Sequence, residues 1–512
     1  MKDYLNSKDI NYNLYAVYII KNFMIENEAN NTKLEFLVSQ LNIEYLLLLT
    51  SLFNKDNKKL SFDILYILIN IAFCDKGAEI FGLEEKIIFN IGVFLGKNKN
   101  DSNLLYHGIW LIKNMSFKND KICEILLKYK IIDFFDEIYE RHLLEIDFMK
   151  NLMSCISDFI NYKLNMKKKG NNDSPLCLLP SINIIKTQLR PNISPELLNK
   201  FFYSLYNLTF FNSLDIYLKM TSNKIHKELM NIYPIIIGKI DELNLEIKEY
   251  KSNNNQMNNN KKEEDKYEKK IKNLENYKSI ILLILKILGK IMSLDDAILT
   301  QTLIDSGIAN FYNYVLQSND VRIIKNASFG ISNICAGTYG QLACLYESNT
   351  FVELIKVSKN IYEALDYNSK LNNVYYSELK DAFREINFVF SLAIINSVFE
   401  KSIPLVKYNN CIVVLFLIKA LNILNENGME QLMEYILSAL YKLIVFDRGE
   451  KKKNDENNKD NNNNLDIVEF MEINGIKEYL EKLKLNKNEK VVGKAEIIYN
   501  AIFYNFEIDD DL

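Results

Sequence analysis

Residues 326–355 read NASFGISNICAGTYGQLACLYESNTFVELI. The apolar spacing predicts a helix, a short helical stretch and a second helix. Asn333 stands one helical turn after Phe329, and Gly337 falls just past the first helix end. Asn is a poor helix former, so an Asn held near a helix C-terminus, one turn after an aromatic, needs a reason. The first test is whether the rest of the chain repeats the pattern.

It does. Aligned on the residue that closes an aromatic-x-x-x-polar unit, the matching segments are YILIN ending at Asn70, WLIKN at Asn114 and SCISD at Asp158. They continue with YSLYN at Asn207, KILGK at Lys290, FGISN at Asn333 and FVFSL at Leu392. Successive steps are 44, 44, 49, 83, 43 and 59 residues, the two longest containing inserts. An all-helical period near 43 residues is the signature of armadillo or HEAT repeats. Small or polar turns recur inside these units, as in LIDSGIANFYNYVL at 303–316 and EINGIKEYLEKL at 472–483. Gly307 and Gly475 are expected to supply backbone freedom there, just before the helix that closes each unit.

Composition agrees. The 512-residue chain is 48% hydrophobic yet holds only 16 Gly and 6 Pro. Strands and tight turns need those residues, so their scarcity favours long helices with short connections. The expected fold is an all-α, armadillo-repeat, right-handed superhelical solenoid of about ten repeats, formed as a single domain over 1–512. Residues 251–270 and 449–464 are rich in Asn, Lys and acids, and are expected to form disordered inserts.

Net charge is −4, which gives no global attraction to nucleic acid or to an anionic membrane. Seven Cys are widely spaced without C-x-x-C, so neither a disulfide framework nor a zinc site is expected. The most apolar run, SIILLILKILGKIM at 279–292, is broken by Lys286 and Lys290 and is too short to span a bilayer. The start of the chain lacks the marks of a signal peptide. His107, His142 and His226 lack metal-ligand spacing, and HLLEIDF at 142–148 reads as a surface helix. Phosphate-loop, nucleophile-elbow and zinc-protease motifs are missing from the sequence. No enzyme activity and no cofactor are expected.

The order of the motifs resembles the importin-alpha (karyopherin-alpha) family, whose repeats read W-x-x-x-N-I-x-x-G. FMKNLMSCISDF followed by SPLCLLPSINIIKTQL resembles that family's fourth repeat, and LKILGKIMSLDDAILTQTLIDSGI resembles its sixth, with Lys286 at the aromatic position. INGIKEYLEKLKLNKNEKVVGKAEIIYNAIF at 473–503 resembles the last repeat. The resemblance covers about 8–506. It implies an adaptor that binds extended, nuclear-localisation-signal-type peptides in a concave groove for protein import, in cytoplasm and nucleus. A divergent scaffold for another extended partner is the alternative.

Residue by residue, the resemblance implies a peptide-binding array of Tyr66 and Asn70, Trp110 and Asn114, Tyr203 and Asn207, Lys286, and Phe329 and Asn333. Rings would hold the stems and cations of Lys or Arg, while Asn amides would hold the peptide backbone. The pattern departs at the acid that would take the key cargo lysine in the third repeat, because Lys118 stands there. A basic cluster is also lacking before the first helix, so recruitment of importin-beta does not carry over. Neither nucleic acid nor membrane insertion is expected among the partners.

Overall fold

A computed structural model describes residues 1–27, 35, 38, 42–117, 119–142, 145–171, 173–254, 261–294, 296–367, 374–397, 411–423, 429–456 and 466–504. Among them every regular element is helical. The long helices are α1 (Ile10–Glu26), α2 (Lys58–Phe73), α3 (Ser102–Ser116), α4 (Ile146–Lys168) and α5 (Pro195–Thr209). They continue with α6 (Ile225–Asn254), α7 (Lys261–Met292), α8 (Val321–Cys335), α9 (Val374–Asn396), α10 (Glu430–Glu456) and α11 (Glu489–Tyr504). Two shorter helices precede a long one in each complete unit. Asp120–Lys128 and Ile131–Ile138 lead into α4, and Ala297–Asp305 and Ile308–Val315 lead into α8. This is an all-α, armadillo-like repeat fold.

Local sequence sets the helix starts. Asn57, Asp101 and Asp320 precede α2, α3 and α8, and their side chains accept from the amides of Leu60, Leu104 and Arg322. Ser194 does the same for α5, with Pro195 at the first helical position. Within α2, Ile64, Leu65, Ile67, Leu68 and Ile71 are buried, each contributing roughly 1.5–3 kcal/mol by leaving water.

The described helices form two compact units, Met1–Glu228 with Gly238–Ile280, and Leu229–Ile237 with Ile281–Leu512. In the first, α1 packs on α2, α2 on α3, α3 on α4 and α4 on α5. In the second, α8 packs on α9, α9 on α10 and α10 on α11.

Three sequence expectations need revision. The 83-residue step arises because α6 and α7 are stretched to 30 and 32 residues. Residues 251–254 and 261–270 are therefore helical where a disordered insert was expected, and 255–260 lie outside the described residues. Alternating charge and rings that meet across the pair favour helix here: Tyr250 stacks on Tyr267 at 4.5 Å and Lys270 pairs with Glu246 at 3.0 Å. Of the second insert, 449–456 extend α10, and 457–464 lie outside the described residues. Second, Gly307 and Gly475 precede the middle helix of each unit, not the closing one. Third, His142 is buried, with Nδ1 2.9 Å from Glu145 Oε1 and its ring against Phe148.

The glycine turn recurs without glycine in several units, though not before Glu85–Lys97 or Leu179–Thr187, where Glu84 and Leu178 take φ of −136° and −90°. Gly307 and Gly475 take φ of 90° and 80°, and Lys130, Lys224, Asn349 and Cys411 take φ of 55–60° at the same place, immediately before a unit's second helix, which for Lys224 is the long α6. Only two of these six positions carry the residue that adopts this conformation without strain.

Candidate peptide-binding surface

The aromatic and Asn positions fall on the long helices, as their spacing implied, but neighbouring helices use them differently. Asn114 on α3 donates from Nδ2 to the carbonyl of Ile69 on α2 at 3.3 Å. Asn333 on α8 donates to the carbonyl of Gly289 on α7 at 3.0 Å. In both cases the acceptor is the residue just before the preceding unit's aligned position, Asn70 or Lys290. On α10, Lys442 plays the same part, donating to the carbonyls of Ile395 and Ser397. On α9 the equivalent residue is Asn396, which donates to the Cys335 carbonyl at 2.8 Å. The aligned Leu392, one turn earlier, is buried core.

At Asn114, Asn333 and Asn396 the amide thus fastens a long helix to the one before it. Each such bond contributes about 0.5–1.5 kcal/mol. An Asn so used still has its Oδ1 to offer a ligand N–H.

Phe329 belongs to the same grip. A Cβ placed on Gly289 would lie 2.8 Å from Phe329 Cδ1, so the ring rests on the glycine. Gly330 is similarly closed by Tyr312, whose Oη would lie 1.9 Å from an added Cβ. Lys286 is half-buried one turn before Gly289. These residues lie in the second unit, and all the other predicted site residues lie in the first.

In the first unit, Tyr66 is covered. Lys21 Nζ sits 5.7 Å from its ring centroid and pairs with Asp63 at 2.5 Å. Asn70 bonds back to the Tyr66 carbonyl at 2.9 Å. Lys58 sits 6.0 Å from the Phe62 ring centroid and pairs with Asp101. The chain's own lysines therefore occupy the Tyr66 ring face that the sequence offered to a ligand, and the ring of Phe62 one turn before it. Trp110 is partly exposed, at the end of a ring cluster with Tyr106 at 6.1 Å and His107 at 6.4 Å. Lys118, the residue expected to repel a cargo lysine, lies outside the described residues.

Tyr203 and Asn207 meet a different environment. They line a cavity of about 780 Å³ between the end of α3, helix Asp120–Lys128, the second half of α4, and α5. Tyr203 is 54% exposed. Asn207 donates to Asn161 Oδ1 at 3.2 Å. Phe210 also lines it, edge-on to Tyr206 at 4.9 Å.

Asp158 also lines this cavity. Its Oδ2 accepts from Ser116 Oγ at 3.2 Å, and among the described residues no cation lies within ion-pair distance. Burial pushes its carboxyl up to about 6, against the lowering effects of Ser116 and Lys113. In the sequence Asp158 stands at the Asn phase, but Ser154 takes the aromatic position one turn before it, so the pair falls outside the aromatic–Asn array. An acid in a row of amides was the available signal.

The three histidines are dispersed, and no group of three or more His, Cys, Asp or Glu residues suited to a metal occurs among the described residues. The cysteines are free thiols, five of them buried. Among the described residues no helix is long and apolar enough to cross a membrane.

No family model matches the sequence, and no curated protein matches it. Among solved structures, an engineered protein is similar at TM-score 0.57 and 12% identity, over 98% of this chain and 97% of that one. A designed armadillo repeat protein is similar at TM-score 0.40 and 14% identity, over 63% of this chain and 99% of that one. Another, in complex with peptide (KR)4, gives TM-score 0.40 and 15% identity over 63% and 99%. The first of these supports the helical-repeat fold and carries no functional information.

Proposed function

We propose that the chain is an importin-alpha-like adaptor that binds extended, nuclear-localisation-signal-type peptides along its long helices and acts in cytoplasm and nucleus. The cavity beside Tyr203 supports this reading. It joins an exposed ring, amides with unused acceptor oxygens and a carboxylate that meets no cation among the described residues, which together suit a basic side chain on an extended backbone, although Lys167 and Lys168 share the wall. Recruitment of importin-beta is not part of the proposal.

Binding is tested by fluorescence anisotropy with a labelled basic peptide. Tyr203→Ala should weaken it about tenfold, or 1.4 kcal/mol, with little change in the urea midpoint because the ring is exposed. Equal affinity for both proteins would refute the site. Import is tested separately, by adding the protein with a peptide-tagged reporter to permeabilised cells. Reporter that binds but never enters nuclei would leave the second reading, a scaffold for another extended partner. The covered ring of Tyr66 favours that reading, since it closes one of the slots a multi-lysine signal would use.

A further inference from the structure

The first helices carry a surface that the peptide-binding reading does not use. α1 packs on α2, and Ala16, Val17, Ile20 and Met24 on α1 are buried. The opposite side of α1 holds Tyr12, Tyr15 and Tyr18, which are 50%, 55% and 57% exposed. Spaced by three residues, they form one slowly winding stripe along the helix. Tyr4 joins them, its ring 5.3 Å from that of Tyr12 and 6.0 Å from that of Tyr15. Buried Asn13 holds the group in place. Its Nδ2 reaches the carbonyls of Tyr4, Leu5 and Ser7 at 2.9, 3.1 and 3.1 Å, which ties helix Lys2–Leu5 to α1. Phe23 and Ile25 are exposed on the flanks.

A helix that closes a stack of repeats is expected to turn a polar side outward. α11, the last described long helix, does so: its exposed residues are Glu489, Lys490, Glu496, Asn500 and Tyr504. α1 turns tyrosines outward instead, which marks its open face as a contact surface.

Charge and area indicate the occupant. From Ile10 to Ile25 the only charged residue is Lys21, and it is turned to Asp63 and the Tyr66 ring. A partner chosen by charge would find nothing there to pair with. A second copy related by a two-fold axis would set tyrosine against tyrosine with no like charges opposed. Tyrosine suits such a contact, because the ring is buried while the hydroxyl still finds a hydrogen bond. Tyr4, Tyr12, Tyr15, Tyr18, Phe23 and Ile25 together offer on the order of 600 Å² per copy, and a rim of Asn11, Asn22 and Glu26 would bring this to the roughly 800 Å² per partner of a stable dimer.

We propose that this tyrosine face is a self-association surface, through which two copies of the chain pair α1 against α1 about a two-fold axis. None of its residues belongs to the peptide-binding array, so it stands or falls independently of the proposed function.

Sedimentation velocity of the full chain at rising micromolar concentration tests it. Wild type should pass from a 59.9 kDa monomer to twice that mass. Tyr15→Glu should weaken the dimer by about thirtyfold, since it would bury a carboxylate beside its own copy. Tyr18→Ser should weaken it by about fivefold. Both positions are more than half exposed, so helical circular dichroism and the urea midpoint should hold. Tyr504→Glu, at an exposed ring on α11, is the control and should leave the dimer unchanged. Oxidative tyrosine cross-linking in a mixture of isotopically heavy and light chains should join heavy to light peptides through Tyr12, Tyr15 or Tyr18. Wild type that stays monomeric at every concentration overturns the proposal. So does a dimer that Tyr15→Glu leaves intact, or one that cross-links only elsewhere, since either puts the contact on another face.

Discussion

Phe329–Asn333 and Tyr203–Asn207 share one sequence pattern, an aromatic and an Asn four residues apart on a long helix, yet they do opposite work. Around Phe329 the preceding helix offers Gly289, so the ring descends onto backbone and the amide reaches the same residue's carbonyl. Around Tyr203 the preceding helix offers Asp158 and Asn161, so the ring stays out and a cavity opens. The comparison teaches that the pair alone does not decide between staple and binding surface. The residue facing it from the previous long helix decides. Tyr66 is an intermediate case, an accessible ring face closed by Lys21 rather than by packing.

The largest effect should come from blocking the staple. Gly289→Ala puts a Cβ 2.8 Å from Phe329, and overpacking of this kind costs about 1–3 kcal/mol. Urea unfolding should show a loss in that range, largely restored in the double variant Gly289→Ala, Phe329→Leu. A loss below about 0.5 kcal/mol would mean that Phe329 is free to swing out, and the contrast with Tyr203 would collapse.

The cavity should show the reverse, a site that costs stability. Asp158 has its pKa raised to about 6 from 3.8. Between those values the folded chain binds more protons than the unfolded one, so this group's contribution falls as pH rises from about 4 to 6 and stays unfavourable above. Asp158→Asn should therefore stabilise the chain by about 1–2 kcal/mol at pH 7.5, after allowance for partial solvent access, and by little near pH 4. Paired urea curves at the two pH values check this. A variant less stable than wild type at pH 7.5 would place a structural role on Asp158 and weaken its assignment as a binding acid.

Much of the fold was legible because helical repeats write their period into local spacing. The steps of 44, 44 and 43 residues mark α2 to α4 and α7 to α8, and the long step marks the stretched pair α6 and α7. The site was less legible, since an Asn looks the same in sequence whether its amide meets a carbonyl 45 residues back, as Asn114 does, or a ligand. Lys21 over Tyr66 was unreadable for the same reason, as the two are brought together only by the packing of α1 on α2. Asp158 holds the Asn phase in the sequence, but with Ser154 at the aromatic position nothing in the local pattern marks it as part of a cavity. The left-handed turn found before several of the middle helices, though not before Glu85–Lys97 or Leu179–Thr187, was half hidden. Gly307 and Gly475 announced it, whereas Lys130, Lys224, Asn349 and Cys411 gave no sign.

That hidden turn gives the smallest test, and it compares the two units directly. Lys130 in the first and Gly307 in the second hold the same conformation, at φ of 55° and 90°, before equivalent helices. A non-glycine residue there costs about 1–2 kcal/mol, offset in part because glycine also loosens the unfolded chain. Lys130 is exposed, so Lys130→Gly removes little besides strain and should gain about 0.5–1 kcal/mol. Gly307→Ala should lose about 1 kcal/mol, and since no atom lies within 4 Å of the added Cβ, the loss reports the backbone alone. Opposite signs in urea unfolding would establish one repeated turn built from different residues. Equal signs would mean that the two turns are held by different forces, and that the repeat is regular in its helices but not in its connections.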